Sequence, residues 1–159
     1  MIRRMERSRA ATLRVLAKIP EREIVRPRTM SKWSIKDVLA HIVAWEEEGA
    51  KRLALIGSGR GDRMVYYEDM RVGQRFNDRA VTAARRLSWV ALLRRAAQVR
   101  RRLISGLEKL PAAWLNDPAK GYPPVEWLPE WACTHEQGHL PRIKTWWQER
   151  RLQLGSQRK

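Results

Sequence analysis

Cysteine is nearly absent from this 159-residue chain: Cys133 stands alone, so no intrachain disulfide can form. A reducing compartment suits such a protein. No apolar run approaches the ~20 residues that a bilayer-spanning helix needs. The opening residues, Met1-Ile2-Arg3-Arg4-Met5-Glu6, lack the apolar stretch of a secretory signal. These absences together predict a cytoplasmic protein with no membrane association. Internal repeats, low-complexity segments and convincing strand runs are missing as well.

Acidic residues are scarce. Seventeen Asp and Glu face 33 Lys and Arg, a formal charge of +16, and arginine outnumbers lysine by about three to one. A field of that sign attracts nucleic acid, anionic membranes or acidic small molecules. The basic residues are spread along the chain, with clusters at Arg3-Arg4, Arg85-Arg86, Arg94-Arg95 and Arg100-Arg101-Arg102. No zinc-finger cysteines, RNP-like aromatic motif or recognisable helix-turn-helix accompanies them. Nucleic-acid association is therefore the alternative reading and not the leading one.

Tryptophan and helical periodicity are what the chain has in quantity. Eight tryptophans suggest a well-filled core or an aromatic-lined pocket. The length suffices for one domain with one sizeable core. A first helix is expected over residues 2–18, stopped at Pro20, with a loop over 21–32. Ser34-Ile35-Lys36-Asp37 has the pattern of a capping box. It opens a second helix in which Ile35, Val38, Leu39, Ile42, Trp45, Leu53 and Ile56 recur at helical spacing. A third is expected from Phe76-Asn77 to about Lys109, re-capped at Ser88. The stretch from Pro111 to Pro129 reads as an ordered crossover loop. The last helix is expected from Pro129 to about Arg151, kinked at Pro141. The prediction is an all-α four-helix bundle with a long crossover loop before the last helix. The domain should span residues 1–152, followed by a flexible basic tail at 153–159.

Such bundles commonly host metal sites built from facing helices. The chain has three histidines: His41, His135 and His139. The last two are four residues apart, so on a helix they share one face. His41 lies in another helical stretch. Three neutral imidazoles on two packed helices make an open metal site, whereas a closed structural zinc needs four protein ligands. Cys133 is two positions before His135, about 200° around the axis, and points away. A metal ion so held lowers the pKa of water that enters its open position. Imidazole suits zinc, nickel, copper or iron, so ligand type alone does not choose among them.

Neighbouring residues complete the candidate site. His135-Glu136-Gln137-Gly138-His139 matches H-E-x-x-H, in which the glutamate serves zinc proteases as general base. The strand that aligns a peptide is missing, which argues against a protease. Glu136 remains the candidate catalytic residue, polarising water. Trp45 and Trp131, each one turn from a histidine, are candidate pocket walls. Asp37, one turn before His41, is a candidate to hold its second ring nitrogen, beside its capping role. Glu46-Glu47-Glu48 reads as a solvated face.

At these residues the chain resembles the DinB/YfiT-like superfamily of four-helix bundles. Trp33 to Glu46, including Ser34-Ile35-Lys36-Asp37 and His41, resembles its second-helix signature. Phe76-Asn77 and the basic, alanine-rich segment after it resemble its third helix. Thr134-His135 through His139, with Ile143 and Trp146, resembles the fourth. Leu115-Asn116-Asp117-Pro118 through Trp127-Leu128-Pro129 is similar to the ClbS/DfsB branch. The resemblance implies an up-down-down-up bundle, a divalent metal on His41, His135 and His139, zinc or nickel before others, and a homodimer. It also implies a small-molecule substrate, reactive or toxic, attacked by water or by a low-molecular-weight thiol. Gly138 and Pro141 depart from the family pattern.

Overall fold

The computed structural model describes residues 1–67 and 69–156. The described residues form an all-α bundle. Its long helices are α1 (Ile2–Leu16), α3 (Ile35–Gly57), α5 (Trp89–Glu108) and α7 (His135–Ser156), with α4 (Met70–Ala84) leading into α5. Two short helices, α2 (Glu21–Ile24) and α6 (Pro124–Pro129), fill connections. No described helix is long and apolar enough to cross a membrane.

Helix α3 starts where its sequence says it should. Ser34 Oγ accepts from the Asp37 amide at 3.0 Å, and Asp37 Oδ2 accepts from the Ser34 amide at 3.1 Å. Two otherwise orphaned donors are thereby satisfied. The re-cap at Ser88 is equally plain: its hydroxyl accepts from the Ala91 amide and opens α5. The third helix begins earlier than expected, at Met70, because Asp69 caps the Arg71 amide.

The last helix differs most from expectation. It has no single start at Pro129. Helix α6 ends there, a wide π-type turn spans Glu130–Thr134, and α7 follows. Proline lacks the amide that would continue the ladder. Pro141 does not interrupt α7. Helix α7 also runs through residues 153–156, the first part of the expected tail, while 157–159 lie outside the described residues. The crossover over 111–129 is ordered by single-turn helices at Ala112–Asn116 and Pro118–Lys120.

The core falls into two halves. One gathers Leu16, Ile35, Leu39, Ile42, Leu92, Val99 and Ile143. The other gathers Met5, Leu53, Ile56, Leu103, Leu128 and Cys133. Along α1, α3 and α5, residues of the first half lie on one side of Arg9, Glu46 and Arg100, and residues of the second half on the other. Those three charged side chains, with Glu136, are buried at the level between the halves.

Candidate metal centre

Helix α3 supplies His41, and the opening turns of α7 supply His135 and His139. The Nε2 atoms of His41 and His135 lie 2.7 Å apart, and those of His135 and His139 lie 3.2 Å apart. All three ligand atoms are within 4.8 Å of one another, and no other described His, Cys, Asp or Glu joins the group. Tetrahedral ligands on zinc at about 2.0–2.1 Å stand roughly 3.3 Å from each other. A slight opening of the cluster therefore accommodates a divalent ion.

The imidazoles are held in the ligating, neutral form. Burial, followed by repulsion from His135 and His139, pushes His41 down to about 3. Burial and the neighbouring His139 push His135 down to about 4. His139 is lowered by burial and by Arg142. Nitrogen lone pairs are thus available to a cation, which is what a ligand set must offer. Three histidines leave at least one position for water or substrate.

Aromatic side chains flank the triad. Trp33 packs against the His41 ring at 4.9 Å between centroids. Trp45 packs on Trp131 at 4.8 Å, on Phe76 at 4.7 Å and on Tyr67 at 5.0 Å. Its indole Nε1 donates to Asn77 Oδ1 at 2.9 Å. Trp45 and Trp131 line a cavity of about 560 Å³, together with Arg52, Tyr67, Tyr122 and Trp127. The two tryptophans expected as pocket walls thus share this cavity, whose lining does not include His41, His135 or His139.

Two expected site residues are engaged elsewhere. Asp37 does not reach the second nitrogen of His41. Its carboxylate accepts from the Ser34 amide and from Arg85, and His41 Nδ1 has no hydrogen-bond partner among the described residues. Glu136 is fully buried and turned into the bundle. Its Oε1 accepts from Arg9 at 2.7 Å, and its Oε2 from Ser8 at 3.2 Å and Arg100 at 2.9 Å. One residue along a helix is a 100° rotation, which separates Glu136 from the face of His135. With both oxygens occupied by arginine, it does not serve as the base polarising water at the triad.

Glu46 corrects the reading of Glu46-Glu47-Glu48 as a solvated face. It is fully buried, with Oε1 accepting from Arg9 at 2.7 Å and from Arg100. Glu48 is buried too. Arg52 was not singled out from the sequence, yet it is 2% exposed, stacks over Trp131 at 4.3 Å and donates to the Val65 carbonyl. A signal for the buried charges was present. Met5, Arg9, Thr12 and Leu16 form one stripe of α1, and Ile42, Glu46 and Leu53 one stripe of α3. A charge inside an apolar stripe points to a buried partner.

A sequence profile of the DinB superfamily matches residues 4–143. No curated protein and no solved structure matches the chain. The profile spans all three histidines, the whole of α3 and the first turns of α7. The chain belongs to the DinB superfamily.

Proposed function

We propose that this protein is a cytoplasmic metal-dependent enzyme that modifies a small electrophilic or toxic molecule, in the manner of the ClbS/DfsB branch, and works as a homodimer. His41, His135 and His139 hold the metal, zinc or nickel. The observation that carries the reading is the convergence of three neutral imidazole nitrogens from α3 and α7 on one point. When bound, a divalent metal lowers the pKa of the attacking water or low-molecular-weight thiol.

The chain's own residues supply the rest. Trp45, Trp131 and Tyr67 offer flat apolar walls to a cavity on the helices that carry His41 and lead to His135, a place for an apolar part of the substrate. Asn77 fixes the Trp45 ring through its indole N–H. In hydrolysis, a C–O bond forms as the bond to the leaving atom breaks, and the nucleophile's proton passes to that atom. In thiol transfer, a C–S bond forms, the leaving group departs with its electron pair, and the thiol proton goes to solvent. No carboxylate at the triad is assigned as base.

The test pairs metal-loaded protein with water alone and with low-molecular-weight thiols against an epoxide and an aryl halide. Turnover that disappears in His135→Ala supports the proposal. Turnover unaffected by that change removes the metal from the reaction.

A second reading rests on the surface. Arg7 and Arg14 on α1 and Arg94 and Arg101 on α5 are exposed, and none forms an ion pair among the described residues. Backbone-driven binding to nucleic acid weakens steeply with salt. Duplex DNA binding that is absent even at low salt removes this reading.

A further inference from the structure

The four charges between the two core halves have no part in the chemistry just described. Arg9 comes from α1, Glu46 from α3, Arg100 from α5 and Glu136 from α7, so each long helix contributes one. The ligand-bearing helices, α3 and α7, contribute the carboxylates. The other two contribute the guanidiniums. Arg9 donates to Glu46 at 2.7 Å and to Glu136 at 2.7 Å. Arg100 donates to Glu136 at 2.9 Å and to Glu46. It also donates to the backbone carbonyls of Met5 and Ala132 at 3.0 and 2.9 Å.

We propose that this buried layer is a register lock for the metal centre, in which Arg9, Glu46, Arg100 and Glu136 act as positioning residues that align α3 with α7. The inference rests on the reading of His41, His135 and His139 as the metal site. Glu136 immediately follows His135, and Glu46 lies five residues beyond His41 on the same helix. The same two arginines hold both carboxylates. The axial offset between the two histidine-bearing helices is therefore fixed through Arg9 and Arg100.

An apolar core alone does not fix that offset strongly, because side chains of similar size repack after a shift. A charged layer does. One turn of slippage is about 5.4 Å. It would strip Glu136 of both guanidiniums and leave uncompensated charges in the interior, which is strongly unfavourable. Polar residues buried within helical interfaces are known to specify register at a cost in stability. Three atoms of this layer, Arg9 Nη1, Glu46 Oε2 and Arg100 Nε, find no partner among the described residues. A layer left incompletely satisfied is a poor device for stability alone. It is still an effective one for discriminating between registers.

The experiment replaces the layer as a whole with apolar side chains of similar length: Arg9→Met, Glu46→Leu, Arg100→Met and Glu136→Leu together. Cobalt(II) is the probe. Three quantities are read on wild type and variant: the thermal midpoint without metal, the cobalt affinity and the ligand-field spectrum. The expected result is a helical variant with an equal or higher midpoint, cobalt binding weaker by at least about tenfold, and altered visible bands. A variant of retained midpoint that binds cobalt with wild-type affinity and spectrum overturns the inference. If the quadruple variant does not fold, Glu136→Gln decides, since it keeps the shape and removes the charge. Folded Glu136→Gln with weakened cobalt binding supports the lock, and unchanged binding overturns it. A wild type that binds no cobalt overturns the metal reading and the lock together. A wild type that binds through its histidines, beside a layer variant that binds as tightly, overturns the lock alone.

Discussion

The Nε2 atoms of His41 and His135 stand 2.7 Å apart, although 94 residues separate them along the chain. Neither helix places its imidazole there alone. The Ser34–Asp37 cap sets where α3 begins, and the π-type turn at Glu130–Thr134 precedes the first turn of α7. At such separations neutral imidazoles share N–H···N hydrogen bonds, and the same three nitrogens are close enough together to turn to one cation.

Among the described residues, the aromatic contacts and the hydrogen bond of the His139 ring are with His41 and His135. His139→Ala is expected to leave the helical content unchanged and to weaken metal affinity by more than about a hundredfold, beyond what loss of an outer-shell partner causes. Metal titration followed by circular dichroism checks both halves. Wild-type affinity in the variant would remove His139 from the site.

Acid should destabilise the metal-free protein through the same histidines. His41 is held down to about 3 and His135 to about 4, against about 6.5 in an unfolded chain. The unfolded state then binds more protons than the folded state between these values. Stability is full above about pH 6.5 and is lost as the pH falls towards about 3 to 4. At about pH 5, His41 alone accounts for a loss on the order of 2 kcal/mol. Thermal midpoints in chelator should drop steeply from about pH 7.5 to 5 in wild type and less so in His41→Gln. Equal drops in both would contradict the assignment.

The cap that starts α3 should matter in proportion to the hydrogen bonds it makes. Ser34→Ala is expected to lower stability by about 1 kcal/mol, as loss of an N-cap hydroxyl typically does. Urea denaturation reads this directly. A neutral result would mean that Asp37, paired with Arg85, secures the helix start unaided.

The crossover should be sensitive at Gly61. A Cβ there would come within 1.8 Å of the Lys120 carbonyl oxygen, and the adjoining Gly121 has φ +116°. Backbone meets backbone, so no flexible side chain can give way. Gly61→Ala is expected to cost about 1–3 kcal/mol or more and to expose Trp114 and Trp127. Denaturation monitored by tryptophan fluorescence tests this, and an undisturbed variant would show that the crossover can move away.

Much of this was legible in the sequence because it depends on local pattern. The Ser34–Asp37 box, the Ser88 re-cap and the 135/139 spacing each need only a few consecutive residues. Pairing His41 with them needed only the scarcity of histidine. What escaped was non-local. Glu136 looks like a protease base within its motif, and only the approach of α1 and α5 shows that Arg9 and Arg100 claim it. Glu46 looks solvated beside Glu47, and Arg52 looks like one more surface arginine. Asp37 stands one turn before His41 in the sequence, but Arg85 and the helix start take its carboxylate. The π-type turn was hidden because Pro129 marks a helix boundary without saying which side continues.

Elemental analysis of untagged protein purified without chelator, run beside His41→Ala, tests the central claim most directly. The account expects about one equivalent of zinc or nickel in wild type and its loss in the variant. No transition metal in wild type even after reconstitution, or equal metal in both, would contradict it.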